Sequence, residues 1–286
     1  MFIFACRSSD PTTLVDELRV MAIQSEPAEI GAEILNPMVE SEEPVANILI
    51  SDPVETGGTF VAWTCTNFGE GCLEKELYAA APQDWLQFYS IDSVLNQVVI
   101  PVHPAVWGVL AEIPVEEQPF RGTFLWVLAC ESGVCPAVDA LTDGNYDIEF
   151  FADPFGLMEE LPITGTSLSF RPLVLSSRPE EARIRNPEIT PLFEEEIVVK
   201  PAESTKIPFS YSLSDVPNDD SLAYAFTTLG GFATNDRLNN LLTEQNGDIN
   251  FEWFGPEEEQ GTAELYIVIE DGLGGSAIWT GSGEVR

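Results

Sequence analysis

The chain has 286 residues, and its 12 lysine and arginine residues against 48 aspartate and glutamate residues give a formal net charge of −36. A surface this acidic repels phosphate backbones, which argues against nucleic acid as a partner. Hydrophobic residues make up 44% of the chain, enough to build packed cores, so global disorder is excluded as well.

The first residues are typical of the cleavage site of a bacterial lipoprotein signal peptide. Ala5 directly precedes Cys6, and the aliphatic Ile3 lies two places before Ala5. This pattern predicts that Cys6 is lipidated and that residues 1–16 are a signal remnant and a lipid-anchored spacer. The alternative is an ordinary buried or disulfide-bonded cysteine. It stays open because a complete signal peptide has about 15–30 residues and a basic start, whereas only residues 1–5 precede Cys6.

Residues 17–178 are predicted to form a β-sandwich domain, because short apolar runs are separated by proline and glycine. The strand candidates are 18–23, 46–50, 59–65, 123–130 and 167–175.

Between residues 73 and 121 the pattern changes. Val106, Val109 and Leu110 follow the spacing of a short amphipathic helix that ends before Pro114. We therefore expect a partly helical insertion at 73–121.

Four further cysteines lie in two close pairs, Cys65 with Cys72 and Cys130 with Cys135. An even number of cysteines in an exported chain predicts disulfide bonds. Three connectivities are possible, and the local pairs are favoured because each closes a short loop containing glycine. A zinc site is the less favoured alternative, since CxxC spacing and partner histidines are missing.

Residues 179–187 are predicted to be a linker, because prolines and arginines interrupt any regular strand there. Residues 188–286 carry strand signals at the spacing of a single β-sandwich. The strand candidates are 196–199, 207–213, 223–228, 250–254, 263–269 and 277–279. The predicted fold is therefore all-β, with two β-sandwich domains.

Two features of the C-terminal stretch predict packing rather than chemistry. The run Asp271-Gly272-Leu273-Gly274-Gly275 predicts a tight turn, where glycine takes up positive φ at no steric cost. Trp253 and Trp279 are predicted to fill the core, because aromatic residues at strand spacing are usually buried.

His103 is the only histidine, so any Ser-His-Asp triad would have to use it. The run Gly165-Thr166-Ser167-Leu168-Ser169 lacks the last glycine of a hydrolase nucleophile elbow. The zincin, P-loop and dinucleotide fingerprints are also missing from the sequence. We therefore predict that the protein is not an enzyme.

Aromatic residues within the predicted insertion leave a second function open. Trp85, Phe88, Tyr89 and Trp107 could form a stacking platform for sugars, as in a carbohydrate-binding or hydrolase accessory protein, or they could form a small core. The core is favoured, because clustered aromatic residues usually bury one another.

Calcium is the one cofactor that the sequence suggests, and the signal is weak. Asp215, Asp219 and Asp220 lie in one acidic loop, and carboxylate and carbonyl oxygens from such loops suit Ca²⁺. The spacing is not that of an EF-hand, so surface acidity is the favoured explanation of the cluster. No other cofactor is predicted.

Five stretches follow the predicted lipidation site in order: 18–29 (LRVMAIQSEPAE), 63–65 (WTC), 185–189 (RNPEI), 224–232 (YAFTTLGGF) and 266–279 (YIVIEDGLGGSAIW). With these motifs the chain resembles a group of uncharacterised envelope lipoproteins of the myxobacterial (deltaproteobacterial) kind. The resemblance implies a cell-envelope location and immunoglobulin-like (Ig-like) sandwiches, above all for residues 188–286. It implies no activity.

The sequence thus predicts a lipid-anchored envelope protein with a structural or protein-binding role. Its predicted partners are the membrane, through the lipid on Cys6, and other envelope proteins. The predicted location is the periplasm or the cell surface, on the outer membrane or another membrane of the envelope.

Overall fold

The computed structural model divides the chain into two compact units. The N-terminal unit comprises residues 17–185, and the C-terminal unit comprises residues 186–286 together with Leu14 and Val15. The structure describes residues 14–15, 17–35, 43–53, 57–66, 72–73, 75–142, 144, 148–154, 156, 161–162, 164–232 and 241–286. The predicted lipidation site, Cys6, lies outside these residues.

The all-β prediction is confirmed for both units. The N-terminal unit contains the strands β1 (Arg19–Glu26), β2 (Glu29–Gly31), β3 (Val45–Ser51), β4 (Gly58–Thr66), β5 (Gln87–Ser90), β6 (Leu95–Val99), β7 (Phe120–Glu131) and β8 (Thr166–Ser176). One sheet has the order β1-β3-β6, and the other has the order β2-β8-β7-β4-β5. The strands pair antiparallel except β2, which runs parallel to β8.

The core of the N-terminal unit lies between these two sheets. It includes Ile23, Ile48, Phe60, Leu125 and Leu173, which are all buried. Strands β4 and β7 are apolar on both faces, so their outward side chains, such as Trp63 and Trp126, are fully buried too. The run 123–130, a strand candidate in the sequence, is thus buried on both sides.

The helices are distributed differently from the predicted insertion at 73–121. They are α1 (Lys75–Ala80), α2 (Pro82–Trp85), α3 (Pro104–Ala111), α4 (Pro136–Thr142) and α5 (Ile148–Ala152). The stretch 73–121 also supplies β5 and β6, one strand to each sheet, while α4 and α5 lie beyond it. The helical residues are thus spread over three connections: β4 to β5 and β7 to β8, which each join strands of one sheet, and β6 to β7, which joins the two sheets.

The predicted amphipathic stripe does form a helix. In α3, Val106 and Leu110 are buried in the core between the sheets, and Ile113 follows the helix just before Pro114. None of the helices in the described residues is long and apolar enough to cross a membrane.

The C-terminal unit is also a two-sheet sandwich. Its strands are β9 (Glu188–Pro191), β10 (Ile197–Val199), β11 (Ser204–Ser212), β12 (Leu222–Thr227), β13 (Gly231–Phe232), β14 (Asn246–Phe254), β15 (Gly261–Glu270) and β16 (Ser276–Val285). The sheets have the orders β13-β14-β11-β9 and β10-β16-β15-β12. Residues from both sheets, including Phe209, Trp253, Leu265 and Ile267, form one buried core.

The strand order of the C-terminal unit is that of an Ig constant domain, in which the first, second, fifth and fourth strands form one sheet. The first strand is split here into β9 and β10, and β10 pairs parallel with the last strand, β16. The N-terminal unit repeats this plan with β1 and β2 as the split first strand. The plans diverge after the third strand: β13 pairs with β14 in the C-terminal unit, whereas β5 pairs with β4 in the other sheet of the N-terminal unit.

Candidate interaction surfaces

The outer face of the five-stranded sheet in the N-terminal unit is covered by its own loops. Phe151 of α5 contacts Trp63 edge-on, with ring centroids 5.2 Å apart, and Val138 of α4 packs into the same buried cluster. The Cys72 N–H donates a hydrogen bond to the carbonyl oxygen of Ala152 at 3.1 Å, which joins the two covering loops. The covering loops thus form a third layer, and the side chains between them and the sheet are buried.

Two disulfide bonds hold this layer to the sheet. Cys65 at the end of β4 is bonded to Cys72, and Cys130 near the end of β7 is bonded to Cys135, directly before α4. Cys130 pairs in the sheet with Thr59, at the opposite end of β4 from Cys65, so the bonds lie at opposite ends of the covered face. The predicted local pairing is confirmed, and all four cysteines are buried.

We expect the double substitution Cys130→Ser with Cys135→Ser to lower the free energy of unfolding of the N-terminal unit by about 2 kcal/mol, the chain-entropy value for so short a loop. Denaturant unfolding of the oxidised proteins measures this difference. The matched control is Cys65→Ser with Cys72→Ser, for which a similar loss is expected. Equal stability of the wild type with and without reductant would contradict the prediction.

The aromatic residues proposed as a sugar platform lie in separate environments. Trp85 packs on the covered outer face and meets His103 edge-on, with ring centroids 4.8 Å apart. Tyr89 stacks on Phe60 at 5.1 Å on the inner side of the sheet, and burial raises the pKa of its hydroxyl. Trp107 also packs against the inner core, whereas Phe88 is 39% exposed. The four residues therefore do not form one stacking surface.

The loop 213–221 and the turn 271–275 meet at one end of the C-terminal unit. The buried carboxylate of Asp271 accepts three backbone N–H groups through Oδ1, from Leu273, Gly274 and Gly275, at 2.8–2.9 Å. Its backbone carbonyl accepts the hydroxyl of Ser221 at 2.7 Å. The Asp-Gly turn predicted from the sequence is thus a rigid, internally bonded structure that also fixes the neighbouring loop.

The calcium candidates lie on the outside of this loop. Asp215, Asp219 and Asp220 are all exposed, and Oδ1 of Asp215 accepts the N–H of Val216 at 2.7 Å. Within the described ranges, no group of three or more histidine, cysteine, aspartate or glutamate residues is close enough together to hold a metal ion.

Gly272 offers a test of how tightly the two loops pack. Its φ is +71°, and a Cβ atom there would lie 2.2 Å from Oδ1 of Asn218. We expect Gly272→Ala to destabilise the C-terminal unit by about 2–3 kcal/mol, from left-handed strain and the clash together. Gly133→Ala is the matched control, because its φ of +77° is similar but its surroundings are open. Equal losses of stability for the two variants would show that the contact with Asn218 is unimportant.

One buried ionic site was not predicted from the sequence. The side chain of Glu29 on β2 is fully buried and is bound at both oxygens by Arg178, with Nε to Oε1 at 3.0 Å. The N–H of Ile184 also donates to Oε2 of Glu29, at 2.9 Å. The predicted linker, 179–187, is thus bound over much of its length to the N-terminal unit.

A second ion pair extends this site. Arg183 binds Glu33, with Nη2 to Oε2 at 2.6 Å, and donates two hydrogen bonds to the carbonyl oxygen of Arg178. Burial alone raises the pKa of Glu29, but hydrogen bonds from Arg178 and Ile184 outweigh it, and the net pKa lies below its ordinary value. The hydrogen bond from Arg183 likewise lowers the pKa of Glu33. The arginine-rich composition of 178–185 was the only signal of this site in the sequence.

Comparisons with known proteins give no family for the chain. No family model matches, and no curated protein matches. Among solved structures, a chimeric titin Z1Z2 tandem is 12% identical, with 96% of this chain and 100% of that chain covered and a TM-score of 0.28. Trypsin-activated alpha-2-macroglobulin from Escherichia coli is 9% identical over 97% of this chain and 18% of its own, with a TM-score of 0.27.

A third structure, an ectodomain fragment of ICAM-5, is 12% identical over 95% of this chain and 54% of its own length, with a TM-score of 0.24. At TM-scores this low, neither the activities nor the partners of these proteins can be transferred. The assignment of Ig-like sandwiches therefore depends on the strand order of the two units, described above.

Proposed function

We propose that the protein is a lipid-anchored component of the cell envelope that has no catalytic activity and binds other proteins. The observation that carries the proposal is the tandem of two Ig-like sandwiches, since such domains present strand edges and loop ends to partners while their cores stay rigid. The residues considered for catalysis and for sugar binding also fit a protein-binding role. His103 packs against Trp85, and the aromatic residues of 73–121 do not share one surface.

The proposed location is supported by two independent features of the chain. Disulfide bonds form and persist in oxidising compartments, and the bonds Cys65–Cys72 and Cys130–Cys135 fit an exported protein. The Ala5-Cys6 sequence fits lipidation, which would attach the protein to a membrane on its periplasmic or cell-surface side. Weak calcium binding by Asp215, Asp219 and Asp220 stays a prediction.

The anchor is tested by labelling native cells with radioactive palmitate and separating membrane from soluble fractions. The wild type should be labelled and found with the membranes. The Cys6→Ser variant should be unlabelled and soluble. An unlabelled wild type, or a Cys6→Ser variant that stays in the membrane fraction, would contradict lipid anchoring at this residue.

The binding role is tested by photocrosslinking in intact envelopes. A photoreactive residue is placed at the exposed positions Leu192, Val216 and Leu95, one variant at a time. A discrete protein adduct from at least one position supports the proposal. Adducts with glycan alone, or monomer alone at every position, would count against a protein-binding role.

A further inference from the structure

The two units differ in where the strand after the third strand of the plan lies: in the C-terminal unit it is β13, which pairs with β14, and in the N-terminal unit it is β5, which pairs with β4 in the other sheet. In the C-terminal unit, β14 lies between β11 and β13. The equivalent strand of the N-terminal unit is β6, which pairs with β3 on one side. Within the residues that the structure describes, no strand pairs with the other side of β6. The edge of β6 is therefore the place where a further strand fits the shared plan.

The register shows which backbone groups face this open edge. The N–H of Ile50 donates to Val94 O, and the N–H of Ile100 donates to Pro44 O, both at 2.8 Å. Because hydrogen-bonded residues alternate along an antiparallel strand, the backbone groups of Leu95, Gln97 and Val99 point away from β3. The Ser93 hydroxyl binds the carbonyl oxygen of Leu95 at 2.7 Å. The N–H groups of all three residues and the carbonyl groups of Gln97 and Val99 are left for another strand.

The edge also lacks the usual protection against pairing. Natural edge strands carry charges or proline, or are very short, since these features prevent unwanted strand addition. The edge strand β9 contains Glu188 and Pro191, and the edge strand β2 has three residues, including Glu29. β6 has five residues, none of them charged and none of them proline, and its Leu95 is 43% exposed. The edge strands β5 and β12 also lack charge and proline, so this neutrality permits pairing at β6 without setting β6 apart from them.

We propose that β6 binds an extended segment of a partner protein as an added antiparallel strand, and that this segment is net basic. The inference rests on the protein-binding function proposed above and names its site. Backbone hydrogen bonds to Leu95, Gln97 and Val99 hold the segment in register, and apolar side chains of the partner pack beside Leu95 and Val99.

Charge determines which occupant fits. The net charge of −36 attracts a basic segment and repels an acidic one, and it repels a second copy of this chain equally. The partner is therefore expected to alternate β-branched apolar residues with lysine or arginine. Its binding is expected to weaken as salt is added, because salt screens the attraction.

The test uses the full chain and a synthetic peptide, Lys-Val-Thr-Val-Lys-Val-Lys, followed by fluorescence anisotropy. Gln97→Pro removes one outward N–H and leaves the hydrogen bonds between β3 and β6 in place, so the peptide should bind about tenfold more weakly. Gln97→Ala is the matched control and should bind like the wild type, since it keeps the N–H group. In the wild type, the peptide should slow hydrogen exchange at the amides of Leu95, Gln97 and Val99.

Circular dichroism checks that Gln97→Pro is folded. If it is not, Gln97→Lys and Gln97→Glu replace it, and these should weaken and strengthen peptide binding, respectively. Unchanged binding in Gln97→Pro, or no protection of the three amides, would overturn the inference. A dimer of the wild type that dissociates in Gln97→Pro would also overturn it, because the occupant would be a second copy. If the photocrosslinking experiment gives the same protein adduct with the Gln97→Pro variant as with the wild type, the proposed binding function stands. Only its assignment to β6 is then removed.

Discussion

Arg178→Ala is expected to lower the free energy of unfolding of the N-terminal unit by about 3–5 kcal/mol, the usual cost of leaving a buried charge without its partner. The side chain of Glu29 is fully buried, and Arg178 contacts both of its oxygens. Without the guanidinium, the carboxylate retains the hydrogen bonds from Ile184 and Ser176 but loses the charged group that contacts both of its oxygens. Denaturant unfolding measures the loss.

The matched control for this prediction is Arg185→Ala, since Arg185 belongs to the same arginine-rich stretch but is exposed. Its expected effect is below about 0.5 kcal/mol, as for other surface positions. A loss of stability in Arg185→Ala as large as that in Arg178→Ala would show that the stretch acts through its general charge, not through Glu29.

The same ion pair makes the stability of the N-terminal unit sensitive to acid. The pKa of Glu29 in the folded protein lies below its ordinary value of 4.5, so its stabilising effect is complete above that pH. It is lost as the pH falls through the folded pKa, because the unfolded chain then binds a proton that the folded chain excludes. Glu29→Gln should therefore unfold with a weaker dependence on pH below 4.5 than the wild type. Parallel stability curves of the two proteins between neutral and acid pH would contradict this.

Trp253→Ala is the second change with a large expected effect, a loss of about 3–5 kcal/mol from the C-terminal unit. Trp253 is fully buried in the centre of that core, and its indole N–H donates to the carbonyl oxygen of Leu229 at 3.0 Å. A Cβ atom on Gly283 would lie 2.6 Å from its ring, so that glycine makes room for the indole. Removing the ring leaves a cavity that such a close-packed sandwich fills only in part.

Phe254→Ala is the control for this prediction, because Phe254 is the next residue of β14 but is 41% exposed. It should cost about 1 kcal/mol or less. The comparison is made by denaturant unfolding, with near-ultraviolet circular dichroism to follow the aromatic core. Similar losses for the two variants would mean that the ring of Trp253 is not central to the packing.

The packing of Trp253 also explains one of the motifs that the sequence contains. In Leu229-Gly230-Gly231-Phe232, the carbonyl oxygen of Leu229 accepts the indole N–H, and Gly230 has a φ of +81°. A Cβ atom on Gly230 would lie 2.2 Å from the carbonyl oxygen of Phe254. Gly230 is thus required by a close approach of two chain segments, and this part of the motif has a structural origin.

Local patterns in the sequence predicted those features that depend on near neighbours. The strand runs, the tight turn at Asp271-Gly272 and the helix before Pro114 were all foreseeable, because each is set by residues a few positions apart. The pairing of Cys65 with Cys72 and of Cys130 with Cys135 was favoured for the same reason. The strands β5 and β6 within 73–121 were not foreseen, because they are too short and too polar to be told from loops.

The sequence by itself determined an acidic, all-β protein with two sandwich domains and local disulfide bonds, because alternation, turn residues and composition act along the chain. The tertiary structure alone decided the contacts between distant segments. It brought Glu29 to Arg178 and laid α4 and α5 over Trp63. Among the described residues, it also gave β14 two neighbouring strands and β6 one. No local pattern specifies these contacts, because hydrogen bonding and packing across a sandwich depend on which strands become neighbours after folding.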